Sequence, residues 1–377
     1  MVWVFWSAAG FLIYTFAGYP LLLWLISLWH SRPHQRAAVQ PKVSLIVPAH
    51  NEAALLKSKI ENSLELAYPK DKLEIILASD ASDDNTADIG RSFAKDGVKL
   101  VEIADRRGKH YAQMVARDVS QGEILVFTDA SVQLESDVLQ RIVSNFADPS
   151  VGCVSSEDQV VKPKRSWVGE QFYVLFEMWL RSLEARVGSQ VSVSGSFFAA
   201  RREVCKAWHP EQSSDFFIPL HAVAQGRRAI TDPECHGHYT VVRSEKAELH
   251  RKVRTIVHGL AVFFSHLEML NPLRYGFFSW QLISHKLFRW LVPFGMLCLL
   301  VSNGFLWKIG AFYRVSLVLQ AGVYGSALLA LGTDRFAQFK AFRLASFFLL
   351  GNAATLMAWV KFCSGERFAA WQPTRRS

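Results

Sequence analysis

The 377-residue sequence is poor in charge, and its charges are unevenly placed. Charged residues make up 20% of the chain against 50% hydrophobic residues, and the first 29 residues contain no Asp, Glu, Lys or Arg. Uncharged runs return after residue 289, so most ionisable groups lie between about residues 40 and 257. This composition excludes a disordered chain and a wholly soluble enzyme, and it leaves room for one soluble domain between membrane segments.

Cysteine is also scarce: five residues, at 153, 205, 235, 298 and 363, show no paired spacing. This excludes a disulfide scaffold and favours a reduced, cytosolic environment. Cys235 lies close to His236 and His238, but the second ligand pair of a zinc site is missing, so a metal there is disfavoured. No G-x-G-x-x-G follows the first predicted strand and no G-x-S-x-G is present, which argues against a dinucleotide cofactor and a serine hydrolase.

Four uncharged runs predict membrane-spanning helices, because about 20 apolar residues cross a bilayer. Residues 1–30 lack the basic start of a signal peptide and are predicted to be a transmembrane anchor. The others form a C-terminal membrane region, 289–363, and comprise Trp290–Trp307, Val315–Thr333 and Leu344–Val360.

The distribution of basic residues predicts the orientation. Arg32, Arg36 and Lys42 follow the anchor and place the next segment on the cytoplasmic face of the inner membrane. Three C-terminal spans would put the basic tail, 364–377, outside, whereas the positive-inside tendency favours the inside. The number of spans and the side of the tail therefore stay open. The net charge of +9 is explained by anionic membrane lipids, and no nucleic-acid motif accompanies it.

Residues 256–288 alternate apolar with charged positions, which predicts helices lying along the membrane surface. Ordinary amphipathic helices packed on the soluble domain are the alternative.

The soluble domain, 40–255, begins with alternating β-rich and helical stretches. This pattern predicts a parallel sheet covered by helices on both faces. The strands are predicted at Val43–Val47, Leu73–Ala78, Val98–Ile103 and Glu123–Phe127, and the helices at Glu52–Leu66, from about Asp84, and at Lys109–Ser120.

Polar clusters follow three of these strands, at residues 48–52, 79–86 and 128–131. Because ligands bind outside the carboxyl ends of parallel strands, the clusters predict one site. The second cluster also resembles the start of a calcium loop, but Asn85 and Arg91 replace its usual Gly and Glu. Asp84 as a helix cap is the remaining alternative.

Taken in order, these segments resemble the catalytic domain of membrane-bound family 2 glycosyltransferases, the group of cellulose synthase, poly-N-acetylglucosamine synthase and hyaluronan synthase. The resemblance implies a GT-A-like α/β domain with a mostly parallel sheet, flanked by transmembrane and interfacial helices. The matching segments are VSLIVPAHNE (43–52), SDASDDNT (79–86), RRGKHYAQ (106–113), GEILVFTDAS (122–131), SVSGSFFAARRE (192–203), SDFFIPLHAVAQGRRA (214–229) and HRKVRTIVHGL (250–260).

The resemblance also implies a nucleotide-diphosphate-sugar donor, with a UDP-sugar as first choice. Glu52 and Asp80 match residues that hold the base and ribose, and Asp129 matches the first carboxylate of a D-x-D motif that meets Mg²⁺ or Mn²⁺. Ser131 departs from that motif and puts metal affinity in doubt. The full set implied to bind the donor is Pro48, Asn51, Glu52, Asp80, Lys109, Asp129, Ser131, Arg251 and Arg254.

Asp215 matches the catalytic base of the family, with a helix cap as its alternative. Arg251 and Arg254 match arginines of the family that suit diphosphate oxygens. The alternative for these two arginines is a basic face resting on anionic lipid. Thr255 stands where the family has a Trp associated with a polymer channel, which puts processivity in doubt.

The function expected from these matches is inverting sugar transfer to a growing polysaccharide or oligosaccharide at the cytoplasmic membrane face, in surface or exopolysaccharide assembly. Single transfer to a lipid-linked acceptor and a catalytically silent scaffold are the alternatives. Any export partner is unknown.

Overall fold

The computed structural model describes residues 1–160, 168–209, 211–239 and 245–366. Within these ranges, one eight-stranded sheet has the order β3-β2-β1-β4-β7-β6-β8-β5. The strands are β1 Val43–Ala49, β2 Leu73–Asp80, β3 Val98–Ile103, β4 Ile124–Thr128, β5 Gln133–Leu134, β6 Val151–Val160, β7 Phe197–Arg201 and β8 Arg228–Tyr239.

The first half of the sheet is parallel, as predicted. β1 lies between β2 and β4, with β3 outside β2, and all three pairings are parallel. In the second half, β7 runs antiparallel to both β4 and β6, whereas β8 runs parallel to β6. The whole sheet is therefore mixed: helices still separate most of the later strands, but β7 lies between β4 and β6 and runs in the opposite direction to both.

Helices cover both faces of the sheet. Ile46 of β1 packs in the cluster that contains α5 (Lys109–Val119), whereas Leu45 and Val47 pack in the cluster that contains α3 (Ala53–Leu64), as the two-residue period of a strand requires. Both faces of β1 are thus buried, which explains its continuous apolar run. The helices preceding the C-terminal spans are α1 Val2–Ile13, α2 Tyr19–Trp29, α3 Ala53–Leu64, α4 Thr86–Ser92, α5 Lys109–Val119, α6 Val138–Ser144, α7 Val168–Val187, α8 Ser214–Ala224, α9 Glu245–Phe264 and α10 Pro272–Tyr275.

Four helical runs in the described residues are long and apolar enough to cross a membrane: Val2–Trp29, Phe277–Leu306, Ala311–Gly332 and Lys340–Cys363. This confirms the four runs predicted from the sequence. The three C-terminal runs are longer than predicted because charged residues at their ends, such as Lys340 and Lys361, are helical too. The corresponding helices are α11 Phe277–Leu282, α12 Phe288–Leu306, α13 Ala311–Gly332, the short α14 Asp334–Ala337 and α15 Lys340–Cys363.

Single π-helical turns join two pairs of helices. Tyr14–Gly18 connects α1 to α2, and Ile283–Leu287 connects α11 to α12. The predicted boundary between residues 288 and 289 therefore falls inside a continuous helix, and residues 277–288 belong to a candidate span. Of the ionisable residues that indicated a surface helix, His285 and Lys286 lie on this run and contact Glu184 and Ser192.

Helix α9 connects the soluble domain with the membrane helices. Its Val253 and Val257 pack with Ala354 and Ala358 of α15 in a small buried cluster. The predicted boundary at residues 255–256 lies within α9. This helix is amphipathic, and it packs against a candidate span as well as the domain.

Candidate active site

The candidate site lies at the carboxyl ends of β1 and β4. The chain places β2 and β3 on one side of β1 and then returns to place β4 on the other, which creates a switch point with a crevice for a ligand. Pro48 lies beyond Ile46, the last β1 residue paired with β4, so its missing N–H costs that pairing nothing. The three predicted polar clusters meet at this edge.

Asp80 holds the loop that leads into α5. The side chain is buried, with Oδ1 accepting a hydrogen bond from the Arg107 N–H at 2.9 Å and Oδ2 accepting one from the Gly108 N–H at 2.6 Å. Gly108 has a φ of 94°, a conformation that glycine adopts without a steric penalty. The contacts fix where α5 starts and therefore where Lys109 lies. The implied contact of Asp80 with the base and ribose stays a prediction.

Asn51 joins the loops that follow β1 and β2. Its φ of 54° is left-handed, which asparagine tolerates better than most residues. Its N–H donates to Ser82 Oγ at 3.2 Å, and its Oδ1 accepts from the Asp83 N–H at 2.8 Å. The neighbouring Glu52 N–H donates to Thr86 Oγ1 at 2.9 Å. The first two clusters therefore form one hydrogen-bonded unit.

Asp84 contacts the starts of two helices. Its Oδ1 accepts from the Thr86 N–H at 3.0 Å, and its Oδ2 accepts from the Ala53 N–H at 3.1 Å. Burial raises its pKa, but hydrogen bonds from Thr86 and Ala53 outweigh burial and lower the pKa of the carboxyl below its usual value. Asp84 thus satisfies the first N–H group of each helix, although the N-cap positions themselves belong to Asn85 and Glu52. Among the described residues, no group of three or more His, Cys, Asp or Glu is placed to hold a metal ion, near Asp84 or near Cys235.

Asp129 and Lys109 form an ion pair across the switch point. Lys109 Nζ contacts Asp129 Oδ1 and also donates to the Gly195 carbonyl oxygen at 2.8 Å. The Asp129 N–H donates to the Ser196 carbonyl oxygen at 3.0 Å. The side chains are 16% and 22% exposed, so the pair stays accessible to a ligand. These contacts tie the end of β4 to the loop of residues 192–196.

A divalent ion fits this place as the partner of a ligand that brings further oxygen atoms. Asp129 supplies a hard carboxylate and Ser131, two residues later, a hydroxyl, and both residues are partly exposed. Mg²⁺ is commonly held by one or two carboxylates together with substrate phosphates. The residues therefore fit an ion shared with a diphosphate, and Asp129 and Ser131 are its candidate ligands.

Lys59 holds the loop of residues 128–132, a role that the sequence did not predict. The fully buried ammonium donates to Thr128 Oγ1 at 3.1 Å and to the Val132 carbonyl oxygen at 2.7 Å, on either side of Asp129 and Ser131. Burial lowers the pKa of Lys59 to about 7, against an opposing effect of the Asp129 charge. A buried lysine thus fixes both ends of the loop that carries the candidate metal ligands.

Asp215 lies in the first turn of α8, on the other side of loop 192–196. Ser213 is the N-cap residue of that helix, and Asp215 accepts the Val193 N–H through its backbone carbonyl at 2.9 Å. A methyl group added to Gly195 would lie 3.3 Å from Asp215 Oδ2, so glycine leaves room for the carboxylate. Within the described residues its carboxylate makes no hydrogen bond or ion pair. Asp215 is therefore not the cap of α8, and its carboxylate is available to a substrate.

The polar face of α9 adjoins the starts of α5 and α8. Arg251, Arg254 and His258 are spaced three and four residues apart, which puts them on one helix face. The His258 ring lies 5.7 Å from the His110 ring of α5, centroid to centroid. Burial, followed by the like charges of Arg251 and Arg106, lowers the pKa of Arg254 to about 10. Arg254 is thus partly buried among other cations near the site.

A second polar cluster, which the sequence did not predict, joins α2, α7 and the helix of residues 277–306. His285 Nδ1 lies 2.6 Å from Glu184 Oε1 and Nε2 lies 3.0 Å from Glu177 Oε1. Tyr19 Oη donates to Glu184 at 2.6 Å, and Arg289 donates to Glu177 at 2.5 Å. The sequence feature that could have indicated this cluster is the presence of ionisable residues inside an apolar run, because such residues usually face a protein interior.

An α/β domain with its acidic residues at the carboxyl ends of parallel strands, followed by antiparallel strands, is the architecture of a GT-A-type glycosyltransferase. The family model described as Glycosyl transferase family 2 matches residues 44–209. The chain therefore carries a family 2 glycosyltransferase domain, which confirms the resemblance stated from the sequence.

Similarity to a solved protein extends over the membrane helices too. A mannosyltransferase from Pyrobaculum calidifontis, solved in complex with GDP-Man and Mn²⁺, shares 26% identity, with a TM-score of 0.72 over 97% of this chain and 100% of that one. A beta-monoglucosyldiacylglycerol synthase from Nostoc sp. is 28% identical over 49% of this chain and 42% of its own length. An N-acetylglucosaminyltransferase from Bradyrhizobium diazoefficiens is 25% identical over 48% and 39%. The chain thus spans less than half the length of these two curated relatives.

Proposed function

We propose that the chain is an inverting glycosyltransferase that moves a sugar from a nucleotide-diphosphate sugar to an acceptor at the cytoplasmic face of the inner membrane. One observation carries the proposal. Lys109 of the accessible Asp129–Lys109 pair donates to the Gly195 carbonyl oxygen, and the Asp215 carboxylate, which has no hydrogen-bond partner among the described residues, lies beside the Cα of the same glycine. The charged side chains that would meet a leaving diphosphate, Lys109 and Asp129, are thus separated by one residue of backbone from Asp215, the base for an attacking hydroxyl.

The proposed reaction is a single displacement. Asp215 takes the proton of the acceptor hydroxyl as that oxygen attacks the anomeric carbon, and the bond from this carbon to the diphosphate breaks. One displacement inverts the anomeric configuration, and it needs one base where a hydrolase uses two carboxylates. Lys109, Arg251 and Arg254 hold the diphosphate, whose charge grows as the bond breaks.

The residues at the carboxyl ends of the strands define where the donor is proposed to bind. Pro48, Asn51, Glu52 and Asp80 border the pocket proposed for the nucleotide. When bound, an Mg²⁺ or Mn²⁺ ion on Asp129 and Ser131 would neutralise charge on the diphosphate. A UDP-sugar stays our first choice, and the GDP-Man complex of the mannosyltransferase makes GDP-sugars the second group to screen.

The acceptor side faces the membrane helices. Phe216, next to Asp215, contacts Trp290 of α12 with ring centroids 6.2 Å apart. This proximity favours an acceptor carried by a lipid, in a single transfer. Extension of a polysaccharide or oligosaccharide is the second candidate, and Thr255 in place of a tryptophan speaks against processive extension. A silent scaffold has only Ser131 in its favour, whereas the accessible Asp215 carboxylate speaks against it.

A donor screen tests the proposal. Purified full-length protein would receive UDP- and GDP-sugars with Mg²⁺ or Mn²⁺ and bilayer lipids, and mass spectrometry would identify the products. We expect consumption of one donor and a lipid product larger by one sugar, with the Asp215→Asn variant as the inactive control. Nucleotide-sugar binding without any donor consumption would favour the scaffold and contradict the proposal.

A further inference from the structure

Lys286 lies in an unusual backbone segment at the membrane side of the site. It belongs to the π-helical turn Ile283–Leu287 within the candidate span of residues 277–306. Single π turns inside helices frequently occur at functional sites. A lysine inside an apolar spanning helix is itself expensive and usually faces a partner or a pathway.

The lysine side chain points to the elements that hold Asp215. Its Nζ donates to Ser192 Oγ at 2.9 Å and lies 5.3 Å from the centroid of the Phe216 ring. Ser192 precedes Val193, which hydrogen-bonds to the Asp215 backbone, and Phe216 follows Asp215 directly. The ammonium therefore lies next to the proposed base, on the side from which a membrane acceptor would arrive.

The neighbouring glutamates are already compensated. Arg181 and Arg289 both pair with Glu177, and His285 lies between Glu177 and Glu184. On the donor side, Lys109 pairs with Asp129. Lys286 is thus an additional cation beside the base. An ammonium has three N–H donors, of which Ser192 takes one, so it can bind an anionic group while keeping that contact.

We propose that Lys286 binds the phosphate of a phosphate-bearing lipid acceptor and thereby selects that acceptor class. This inference rests on the proposed function, in which Asp215 deprotonates an acceptor hydroxyl. The acceptor then carries a phosphate held by Lys286 and, near it, a hydroxyl whose oxygen forms the new bond to the anomeric carbon. The proton goes to Asp215, and the nucleoside diphosphate leaves with the electron pair of the broken bond.

Two sources present this chemistry: a phospholipid headgroup and a lipid-diphosphate saccharide. Phosphatidylglycerol, with diacylglycerol as its neutral counterpart, represents the first. A polyprenyl-diphosphate N-acetylglucosamine, with an octyl N-acetylglucosaminide as its neutral counterpart, represents the second. The acceptor pair that the wild-type protein uses identifies the source.

The experiment compares wild-type full-length protein with Lys286→Met, Lys286→Arg and the control Lys308→Met, which removes an exposed lysine just beyond the other end of the same helix. A hydrogen bond from an ammonium to a phosphate is charge-assisted and strong, so Lys286→Met should raise KM for the phosphate-bearing acceptor about tenfold or more. KM for the donor and transfer to the neutral acceptor should change less than about twofold. Lys286→Arg should retain most of the affinity, and Lys308→Met should behave as wild type.

A binding measurement separates recognition from catalysis and from folding. Native mass spectrometry without donor should show weaker retention of the phosphate-bearing lipid by Lys286→Met at an unchanged melting temperature. An equal fall in kcat for charged and neutral acceptors would assign Lys286 to the support of Asp215 and overturn the inference. Indifference of the wild-type protein to the acceptor phosphate would overturn the inference alone, whereas absence of donor consumption with every acceptor would overturn the proposed function itself.

Discussion

Replacing Asp215 by asparagine should remove most sugar transfer and leave donor binding nearly intact. Asparagine has almost the same shape, and the backbone hydrogen bond from Val193 is independent of the side chain. The substitution therefore removes the proton acceptor alone. Loss of a positioned base typically lowers a rate by about 10²–10⁴, which corresponds to a barrier higher by about 3–5 kcal/mol.

A purely structural role of Asp215 predicts a much smaller effect. A carboxylate in the first turn of a helix stabilises it through the helix dipole by about 0.3–1 kcal/mol. The N-cap position of α8 is occupied by Ser213, so no capping hydrogen bond of Asp215 is lost. A helix-stabilising role would thus lower the melting temperature slightly and could not reduce kcat a hundredfold in protein that stays folded.

Steady-state kinetics and thermal unfolding of the purified variant distinguish the two roles. We expect kcat to fall by about 10²–10⁴, with donor KM and melting temperature close to wild type. Asp96→Asn, at an exposed aspartate away from the site, is the matched control. Activity above about half of wild type, or a loss of donor binding that parallels the loss of rate, would refute Asp215 as the base.

Four further outcomes are expected. Activity should disappear in excess chelator and return with Mg²⁺ or Mn²⁺, and Ser131→Asp should tighten the metal dependence; full activity in chelator would rule out the metal role. Gly195→Ala should lower kcat roughly tenfold, because the methyl group 3.3 Å from Asp215 Oδ2 displaces the base, and an unchanged kcat would contradict this. Burial lowers the pKa of Lys59 to about 7, below the roughly 10.4 of an unfolded lysine. Between these two pH values the unfolded chain binds more protons than the folded chain, so the melting temperature of the wild-type protein should rise with pH. The Lys59→Met variant should not show this rise. In a cysteine-free background, cysteine at exposed Glu268 should react with reagents applied from the cytoplasmic side and cysteine at buried Met269 should not; reaction from the outside alone would overturn the topology.

The sequence predicted the half of the site that depends on local patterns. Buried β-rich runs such as β1 and β2 alternate with helices, and parallel strands necessarily bring their carboxyl ends to one edge. Asp80 and Asp129 could therefore be placed near each other before any contact was known. The mixed second half of the sheet escaped prediction, because the antiparallel pairing of β4 with β7 joins residues as far apart in the chain as Ile124 and Arg201 and no local signal specifies it.

Lys59 escaped prediction for a different reason. A lysine on a helix with both polar and apolar residues is predicted to be solvent-exposed, since lysine is almost never fully buried unless paired. Its burial depends on acceptors in the loop after β4, Thr128 Oγ1 and the Val132 carbonyl, which lie about 70 residues further along the chain. The polar cluster around His285 was easier to predict, because it includes charged residues inside the apolar helix of residues 277–306. An unpaired charge is costly in a membrane, so such residues indicate a buried partner.

The placement of Lys109 connects the donor and acceptor halves of the site. Its ammonium contacts Asp129, the candidate metal ligand, and the carbonyl oxygen of Gly195, whose Cα side adjoins Asp215. A metal ion and an ammonium repel each other at one carboxylate, so an ion arriving alone must either bind Asp129 beside the charge of Lys109 or shift that ammonium, and both are costly. A metal-bound diphosphate instead offers Lys109 new oxygen partners close by, which offsets that cost. The geometry therefore favours metal and donor binding together. Because Lys109 also holds the Gly195 carbonyl, the same rearrangement is transmitted to the loop beside the proposed base.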